Sequence, residues 1–378
     1  MRQHLLHFFT AVAMLLAGSA SAADGVTPTQ LLIGQSITLQ DGKNDYGVAV
    51  LAGVRTYLGQ VNSAGGVGGR QIVLKTLDDN NSADTAQANA RQLIDKDQVF
   101  ILFGSVEGGP STALMSVVNA LKVPFFGPMA GSPTLRRPFQ SLVFPVRAEH
   151  RDEFRALMAQ AKRVGMQKVG FLRADSAVGE AHLANVKLIG QELGLELAAD
   201  LPFKSDVSDA QIGQMVTRLE QSGAQMVFNH GSAGVYEKLI RQARARNVRV
   251  DFCGVNSASA QLVKHLGDLA HGMVFSQVLP SPWERKTAIT REYQTAFAKA
   301  QPGQDFSYGS LEGYLTAKAL VQALRLAGPN PTRESFLAGL SNAKLDLNGL
   351  TASYSPGDHQ GLVFVDVAIV TRDLKFRH

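Results

Sequence analysis

The hydrophobic positions of this chain alternate between short, fully apolar runs and longer amphipathic segments. Fully apolar runs predict buried parallel strands, and helical spacing of the apolar residues between them predicts helices. In the first third of the chain the runs at residues 31–39, 71–77, 99–103 and 123–127 are predicted strands. Ser82 is a predicted N-cap for the helix before the third of these strands. This βα alternation is typical of an open parallel sheet with helices on both faces.

The same alternation begins again after residue 150. An extended segment with a proline, residues 142–147, separates the two series. Two long helices near the C-terminal end have no strand between them, so we expect them to complete the first unit. The apolar stretch at residues 362–370 is expected to add a strand to the second unit. The predicted fold class is therefore α/β, with two doubly wound parallel-sheet lobes.

One strand, turn and helix start has the pattern of a ligand-holding loop. The apolar run at residues 99–103 ends in a glycine-rich turn, and Pro110, Ser111 and Thr112 then mark a helix start. The free N–H groups of a first helical turn, together with the helix dipole, favour an anionic group there. A tight turn that needs glycine only for steric reasons explains the stretch equally well, and the stretch by itself leaves both interpretations open.

The N-terminus has the pattern of a secretory signal peptide over residues 1–22. Arg2 provides a basic region, residues 5–17 are apolar but too short to span a bilayer, and Ala20-Ser21-Ala22 is an A-x-A cleavage site. Cys253 is the only cysteine, so the predicted cleavage point carries no lipoprotein cysteine and no disulfide can form within the chain. We expect a protein exported to the periplasm without a lipid anchor.

Length and charge narrow the class of protein further. The roughly 356 residues after the predicted cleavage point exceed what one hydrophobic core usually serves, so two domains are expected. Lys and Arg total 37 against 32 Asp and Glu, and removal of Arg2 leaves a net charge of +4. That balance is too mild to indicate a nucleic-acid partner.

Three motifs carry a resemblance to a known family. They are VNSAGGVGGRQI at residues 61–72 with Asp78-Asp79, FPVR at residues 144–147, and IRQAR at residues 240–244. With them, the chain from Leu31 onwards resembles the leucine/isoleucine/valine-binding family of type I periplasmic substrate-binding proteins, the soluble receptors of ABC importers. The resemblance implies two α/β lobes joined by three hinge crossings, with one ligand in the cleft between them.

The resemblance also implies where the lobes divide. The crossings would fall near residues 144–147, 276–280 and 354–361. The N-terminal lobe would then comprise residues 23–145 plus 279–355, and the C-terminal lobe residues 146–278 plus 356–378.

In this family the turns after the third and fourth strands bind the carboxylate of an amino acid, at the carboxyl ends of the strands. The resemblance implies the following ligand-binding residues: Tyr46, Ser105, Glu107, Gly108, Gly109, Met129, Ala130, Gly131, Ser132, Asp175, Val178, Ser232 and Asn256.

Several of these positions depart from the family pattern. Gly108 and Gly131 stand where hydroxyl side chains are common, and Val178 and Ser232 stand where tyrosine is common. Asn256 stands where the family has an acid that meets the α-ammonium group, and an amide brings no charge to that position.

These departures affect the predicted ligand. Glu107 and Asp175 are candidates to replace the missing acid from another wall of the cleft. Without that replacement, the residues predict a small carboxylate-bearing solute, an amino acid or a related organic acid. Ordinary branched-chain amino acids are expected to bind weakly or not at all, because burying an unpaired cation is costly.

The same residues bear on other classes of function. HExxH, GxSxG and cysteine-based metal spacings are absent, so we predict no catalytic residues, no metal and no cofactor. The preferred function is a receptor that captures a small molecule and delivers it to an integral-membrane ABC permease, with no nucleic-acid partner. A periplasmic ligand sensor for a membrane receptor is the alternative, and an exported enzyme is less favoured.

Overall fold

The computed structural model describes residues 25–204, 206–256 and 259–378. The predicted signal peptide lies outside the described residues. The strands are β1 (Gln30–Ile37), β2 (Gln71–Asp78), β3 (Ile101–Phe103), β4 (Phe125–Phe126), β5 (Val143–Phe144), β6 (Lys168–Ala174), β7 (Glu196–Phe203), β8 (Met226–His230), β9 (Asp251–Gly254), β10 (Val274–Gln277), β11 (Lys344–Asp346), β12 (Thr351–Ser355), β13 (Asp358–Gly361), β14 (Asp366–Val370) and β15 (Phe376–Arg377).

The helices are α1 (Asp45–Ser63), α2 (Ala83–Arg91), α3 (Gly108–Leu121), α4 (His150–Arg163), α5 (Ala177–Leu193), α6 (Asp209–Ser222), α7 (Ala233–Ala245), α8 (Ser259–Leu266), α9 (Ala288–Ala300), α10 (Tyr308–Leu326) and α11 (Arg333–Leu340). A single π-helical turn, Gln92–Lys96, continues α2, and a short 3-10 turn, Pro133–Leu135, follows β4. Among the described helices, none combines the length and the apolar character that crossing a membrane requires.

Two sheets with the same strand order form the centres of two lobes. The first sheet has the order β2-β1-β3-β4-β5, and all its neighbours are parallel. In the second sheet, β7-β6-β8-β9-β10 are parallel in the equivalent order, followed by β14 and β15. The predicted pair of doubly wound lobes is confirmed. In each lobe the strand order reverses beside the first strand, between β1 and β3 and between β6 and β8, which is where such sheets bind ligands.

The second sheet is mixed rather than purely parallel. Asp366 at the start of β14 pairs with Gln277 at the end of β10, so β14 runs antiparallel to it, as β15 does to β14. The chain reaches β14 from the hinge side, at the carboxyl ends of the parallel strands. A strand that starts at that edge, without a crossover helix before it, runs in the opposite direction.

Helix α10 packs tightly against α1 of the first lobe. A Cβ atom on Gly53 would lie 1.9 Å from the carbonyl oxygen of Ser310, and one on Gly313 would lie 2.1 Å from that of Val50. Only glycine allows the two backbones to come so close. This contact attaches the C-terminal helices to the first lobe, although the residue boundaries of the lobes stay a prediction.

Two chain crossings between the lobes lie side by side. Leu362 N donates to Val146 O at 2.7 Å, and Tyr354 Oη donates to Pro145 O at 3.1 Å. The crossing after β5 is therefore braced by the segment around β12 and β13. Arg147, the next residue, begins the buried site described below.

Several elements were not predicted from the sequence. They are the fifth strand of the first sheet (β5), the short helices α8 and α11, the small antiparallel sheet β11-β12-β13, and β15. Each is eight residues or shorter, and β13 has the polar sequence DHQG, so periodicity gave no usable signal.

Candidate ligand-binding site

Two turns of the first lobe meet at the carboxyl ends of its strands. Met129 N donates to Ser105 O at 2.7 Å, and Val106 pairs with Met129 as a parallel bridge. A Cβ atom on Gly108 would lie 4.0 Å from that of Ser132. The structure thus brings together the residues after β3 and the residues after β4 that the sequence predicts to bind a ligand.

The first turn of α3 and a group of hydroxyls line this meeting point. Because α3 begins at Gly108, the N–H groups of Gly108 and Gly109 have no partners inside the helix, whereas Pro110 has no N–H and Ser111 N donates to Glu107 O. Thr134 Oγ1 lies 2.6 Å from Thr112 Oγ1 and 2.8 Å from Ser132 Oγ, and we call these three residues the hydroxyl trio. Backbone N–H groups beside several hydroxyls suit an anionic oxygen.

Glu107 occupies the N-cap of α3 in an unusual backbone conformation. Its φ is 63° and its side chain makes no capping hydrogen bond to the helix. Burial raises the pKa of the Glu107 carboxyl, and a hydrogen bond with Asn44 acts in the opposite direction. A non-glycine residue held at positive φ is typical of ligand sites and switch regions.

A buried group of charges lies where the chain crosses between the lobes. Arg147 is 1% exposed, its Nη2 lies 2.5 Å from Glu153 Oε1 of α4, and its Nη1 lies 3.7 Å from Glu312 Oε1 of α10. Glu153 Oε2 also accepts from Asn256 N at 2.8 Å and from Ser276 Oγ at 2.9 Å. This cluster joins elements of both lobes.

Glu312 connects two predicted ligand-binding residues from opposite lobes. Tyr46 Oη donates to Glu312 Oε2 at 2.6 Å, and Asn256 Nδ2 lies 3.4 Å from the same oxygen. Among the described residues no hydrogen-bond donor reaches Glu312 Oε1 or Asn256 Oδ1, and both atoms are buried. An acid therefore does stand beside Asn256, but it comes from the first lobe, and no sequence motif marks it.

The charges in this cluster do not cancel. Burial acts to raise the pKa of Glu153, but Arg147 and the hydrogen bonds from His150 and Asn256 outweigh it and hold that pKa below its usual value. For Glu312, burial dominates and raises the pKa, although Arg147 opposes it. One arginine thus faces two glutamates, and the cluster carries an excess of negative charge when Glu312 is ionised.

A cavity of about 320 Å³ lies between the lobes next to this cluster. Its lining includes Tyr46 and Gly309 from the first lobe and Asn256, Gln261 and Lys264 from the second. The space is on the scale of a small solute.

Three histidines meet at the same edge of the second sheet. Ring centroids are 3.7 Å apart for His182 and His230 and 4.7 Å apart for His150 and His230. His150 Nδ1 lies 2.9 Å from Glu153 Oε1, and its ring rests on Gly131, where a Cβ atom would lie 2.7 Å away. Sequence reasoning missed all three, because single histidines far apart in the sequence carry no spacing signal.

The other predicted residues of the second lobe lie nearer the surface. Asp175 is exposed, and its N–H donates to Phe203 O. Ser232 is exposed and caps α7 by accepting from Val235 N, while Val178 is half-buried in the first turn of α5. His182 lies one turn after Val178 on α5, and His230 lies two residues before Ser232. No group of three or more His, Cys, Asp or Glu side chains within the described ranges is placed to hold a metal ion.

Comparison with known proteins gives the family. A sequence model described as periplasmic binding protein matches residues 33–371. The chain belongs to the periplasmic binding protein family. A protein from Pseudomonas aeruginosa, named leucine-, isoleucine-, valine-, threonine-, and alanine-binding protein, is 24% identical over 288 residues, which cover 75% of this chain and 74% of that protein.

Solved structures of similar proteins share the fold. A possible leucine/isoleucine/valine-binding protein from Rhodopirellula baltica has a TM-score of 0.84 at 24% identity, covering 95% of this chain and 98% of that one. A fatty acid ABC transporter substrate-binding protein from Thermomonospora curvata has a TM-score of 0.81 at 19% identity, covering 93% and 91%. The resemblance seen in the sequence is confirmed, and this chain is a binding protein rather than an enzyme.

Proposed function

We propose that the protein is a periplasmic receptor of an ABC importer that captures a small carboxylate-bearing solute between its lobes and delivers it to an integral-membrane permease. The observation that carries the proposal is the first turn of α3 with the hydroxyl trio beside it. These groups lie at the carboxyl ends of the strands, where both sheets reverse their strand order. The ligand-binding role of the individual residues remains part of this proposal.

The chemistry of this edge favours a carboxylate. Unpaired N–H groups and the positive end of the α3 dipole stabilise an anionic oxygen, and Gly108 and Gly109 allow a ligand to approach the backbone closely. The ligands named for the relatives support the same class. Leucine, isoleucine, valine, threonine, alanine and fatty acids all carry a carboxylate.

The structure also supports an amino group on the solute, contrary to the prediction from Asn256. Among the described residues, Asn256 Oδ1 accepts no hydrogen bond, and Glu312 Oε1 has only the Arg147 guanidinium at 3.7 Å. With the excess negative charge that the cluster carries when Glu312 is ionised, these oxygens suit a cationic N–H donor. Glu312 thus takes the role for which Glu107 and Asp175 were the candidates in the sequence. We therefore favour an amino acid over its 2-oxo acid counterpart.

Titration calorimetry tests both parts of the proposal. The protein without residues 1–22 is titrated with leucine, with valine and with their 2-oxo acids. We expect micromolar or tighter binding of an amino acid, reduced at least about tenfold in Glu312→Gln, which corresponds to about 1.4 kcal/mol. Glu220→Gln, an exposed change on α6, is the matched control and should bind normally.

Other outcomes reject parts of the proposal. Binding of the 2-oxo acids without the amino acids would reject the role of Glu312 and restore the prediction made from Asn256. If a broad thermal-shift screen finds no carboxylate that binds, the solute class is wrong. Co-purification with a permease supports transport, whereas co-purification with a membrane receptor alone supports the sensor alternative.

A further inference from the structure

The buried imidazole of His182 and the half-buried imidazole of His230 have ring nitrogens that lack the hydrogen bonds such groups normally have. His182 is 0% exposed, and neither of its ring nitrogens has a partner among the described residues. The Nδ1 atom of His230 is buried and unpartnered as well. Leaving a buried donor or acceptor unpaired costs about 1–3 kcal/mol, so such groups call for an explanation.

Aromatic packing accounts for the rings but not for their nitrogens. The ring centroid of Phe154 lies 5.3 Å from that of His182, 6.3 Å from that of His230 and 5.5 Å from that of Phe228. Phenylalanine would fill the same space in this cluster without unpaired polar atoms. The nitrogens are therefore satisfied by a group that enters the site, either a ligand or water.

The pair lies opposite the carboxylate-binding groups of the first lobe. His230 ends β8, beside the point where the second sheet reverses its order, and His182 is on α5. Helix α5 contacts the Pro133–Leu135 turn of the first lobe, which carries part of the hydroxyl trio. The His150 ring lies between the two, against Gly131 and with its centroid 4.7 Å from that of His230.

The electrostatic surroundings favour an anion. Helices α3, α4, α5 and α7 all begin at this edge, so the positive ends of their dipoles face it. The titratable groups around the pair are His150 and Glu153 of α4, Arg147 of the crossing, and Arg136 after the Pro133–Leu135 turn. Glu153 is already paired with Arg147 and His150.

We propose that His182 and His230 form the second lobe's half of the carboxylate site, and that capture of the carboxylate is accompanied by uptake of a proton from solvent onto this pair. This inference rests on the proposed carboxylate-bearing solute. Burial lowers the pKa of both histidines, and neighbouring histidines, and for His230 also Arg147, act in the same direction. The rings are therefore neutral in the free protein at neutral pH. A carboxylate against them favours the charged form, and the proton comes from the buffer.

Nuclear magnetic resonance of ¹⁵N-histidine-labelled protein tests this with acetate as the probe. Ring nitrogen shifts are followed against pH in about 0.1 M sodium acetate and in sodium chloride of equal ionic strength. An anion within about 4–6 Å raises a pKa by roughly one unit or more, and we expect that rise for His182 and His230 only. The exposed His265 serves as the internal control.

Histidine variants assign the ring-nitrogen signals to individual residues and provide a second measurement. His182→Phe and His230→Phe keep the aromatic shape, and each should weaken acetate binding at least about tenfold, whereas His265→Phe should not. In wild type, acetate should bind more tightly at pH 5.5 than at pH 7.5 by about the same factor. If a buried variant fails to fold, the wild-type titration still decides the question.

Each outcome has a defined meaning. If the ring-nitrogen shifts of the pair follow the same curve in acetate and in chloride, the inference is wrong. It is also wrong if acetate changes the ring-nitrogen shifts of His265 equally. In both cases the pair binds water or an adventitious ion only. If acetate changes the titration of His182 and His230 but no carboxylate solute is found, the histidine site is supported and the proposed function is wrong. If a carboxylate solute binds without changing the titration of His182 and His230, the proposed function is supported and this inference is wrong.

Discussion

Replacing Arg147 by methionine should strongly destabilise the protein, and more so at neutral than at acidic pH. Arg147 is 1% exposed, and its guanidinium faces two buried carboxylates, Glu153 at 2.5 Å and Glu312 at 3.7 Å. Methionine fills similar volume but removes the positive charge, so both glutamates lose their cationic partner.

The expected magnitude follows from these distances. With an effective dielectric constant near 20, the two attractions amount to roughly 6–7 and 4–5 kcal/mol before the cost of removing the ions from water. Desolvation offsets most of that gain in the wild type. Loss of one partner leaves the other charges buried, and the measured cost of such a change is about 3–5 kcal/mol.

The pH dependence of the loss identifies its cause. In wild type the pKa of Glu153 is held below its usual value, with Arg147 the main stabilising charge, so its contribution to stability is lost only as pH falls through that low pKa. In Arg147→Met, burial without the arginine raises the pKa of Glu153 above its unfolded value. The variant should then regain part of its stability as pH falls from 7 to about 5, because protonation removes the buried charge.

Urea unfolding at pH 5 and pH 7 measures both effects. Arg155→Met is the matched control, because Arg155 lies 2.6 Å from Glu192 with side-chain exposures of 43% and 42%. An exposed pair contributes about 0–1 kcal/mol, so this control should change little. A loss below about 1 kcal/mol for Arg147→Met, or a loss that does not change with pH, would refute the role assigned to the buried cluster.

Three further predictions concern neighbouring residues. Tyr46→Phe removes the shortest hydrogen bond to the buried carboxylate of Glu312 and should lower the free energy of unfolding in urea by about 1–3 kcal/mol. No change would show that water replaces the hydroxyl. Gly131→Ala forces a Cβ atom to within 2.7 Å of the His150 ring and should cost about 1–3 kcal/mol in a thermal melt, whereas Gly109→Ala, with nothing within 4 Å, should cost less than 1 kcal/mol. Burial lowers the pKa of His182, so the unfolded chain binds the proton more readily and the free energy of unfolding falls as pH drops below about 6.5. In His182→Phe that fall should be less steep. Parallel profiles of stability against pH for wild type and variant would contradict this.

Much of the fold follows from local signals in the sequence. The predicted N-cap Ser82 does accept a hydrogen bond from Thr85 N at the start of α2, and the glycine turn after β3 does open α3. Strand and helix periods extend over a few residues, so a local pattern is sufficient to predict them. The two lobes and the meeting of the turns at Ser105 and Met129 follow, because parallel strands end at a common edge.

The polar part of the candidate site depended on partners that are distant in sequence. Asn256 and Glu312 are 56 residues apart, and on its own each is an unremarkable polar residue in a mostly buried segment. No motif in the sequence marked Glu153, His182 or His230. Which of these side chains are paired, and which are buried with free nitrogens or oxygens, depends on how two lobes face each other.

The sequence by itself determined the family, the doubly wound lobes and the glycine turn and helix start after β3, because strand period, glycine turns and helix starts are properties of neighbouring residues. Only the tertiary structure decided that Glu312 stands beside Asn256 and that Arg147 balances one of two buried glutamates. It also decided that His150, His182 and His230 lie together at one edge of the second sheet, while Ser232 is exposed and Val178 is half-buried. The net charge around a buried group, and whether its polar atoms have hydrogen-bond partners, depend on all the atoms within a few ångströms. In this protein those atoms come from chain segments on opposite sides of a hinge.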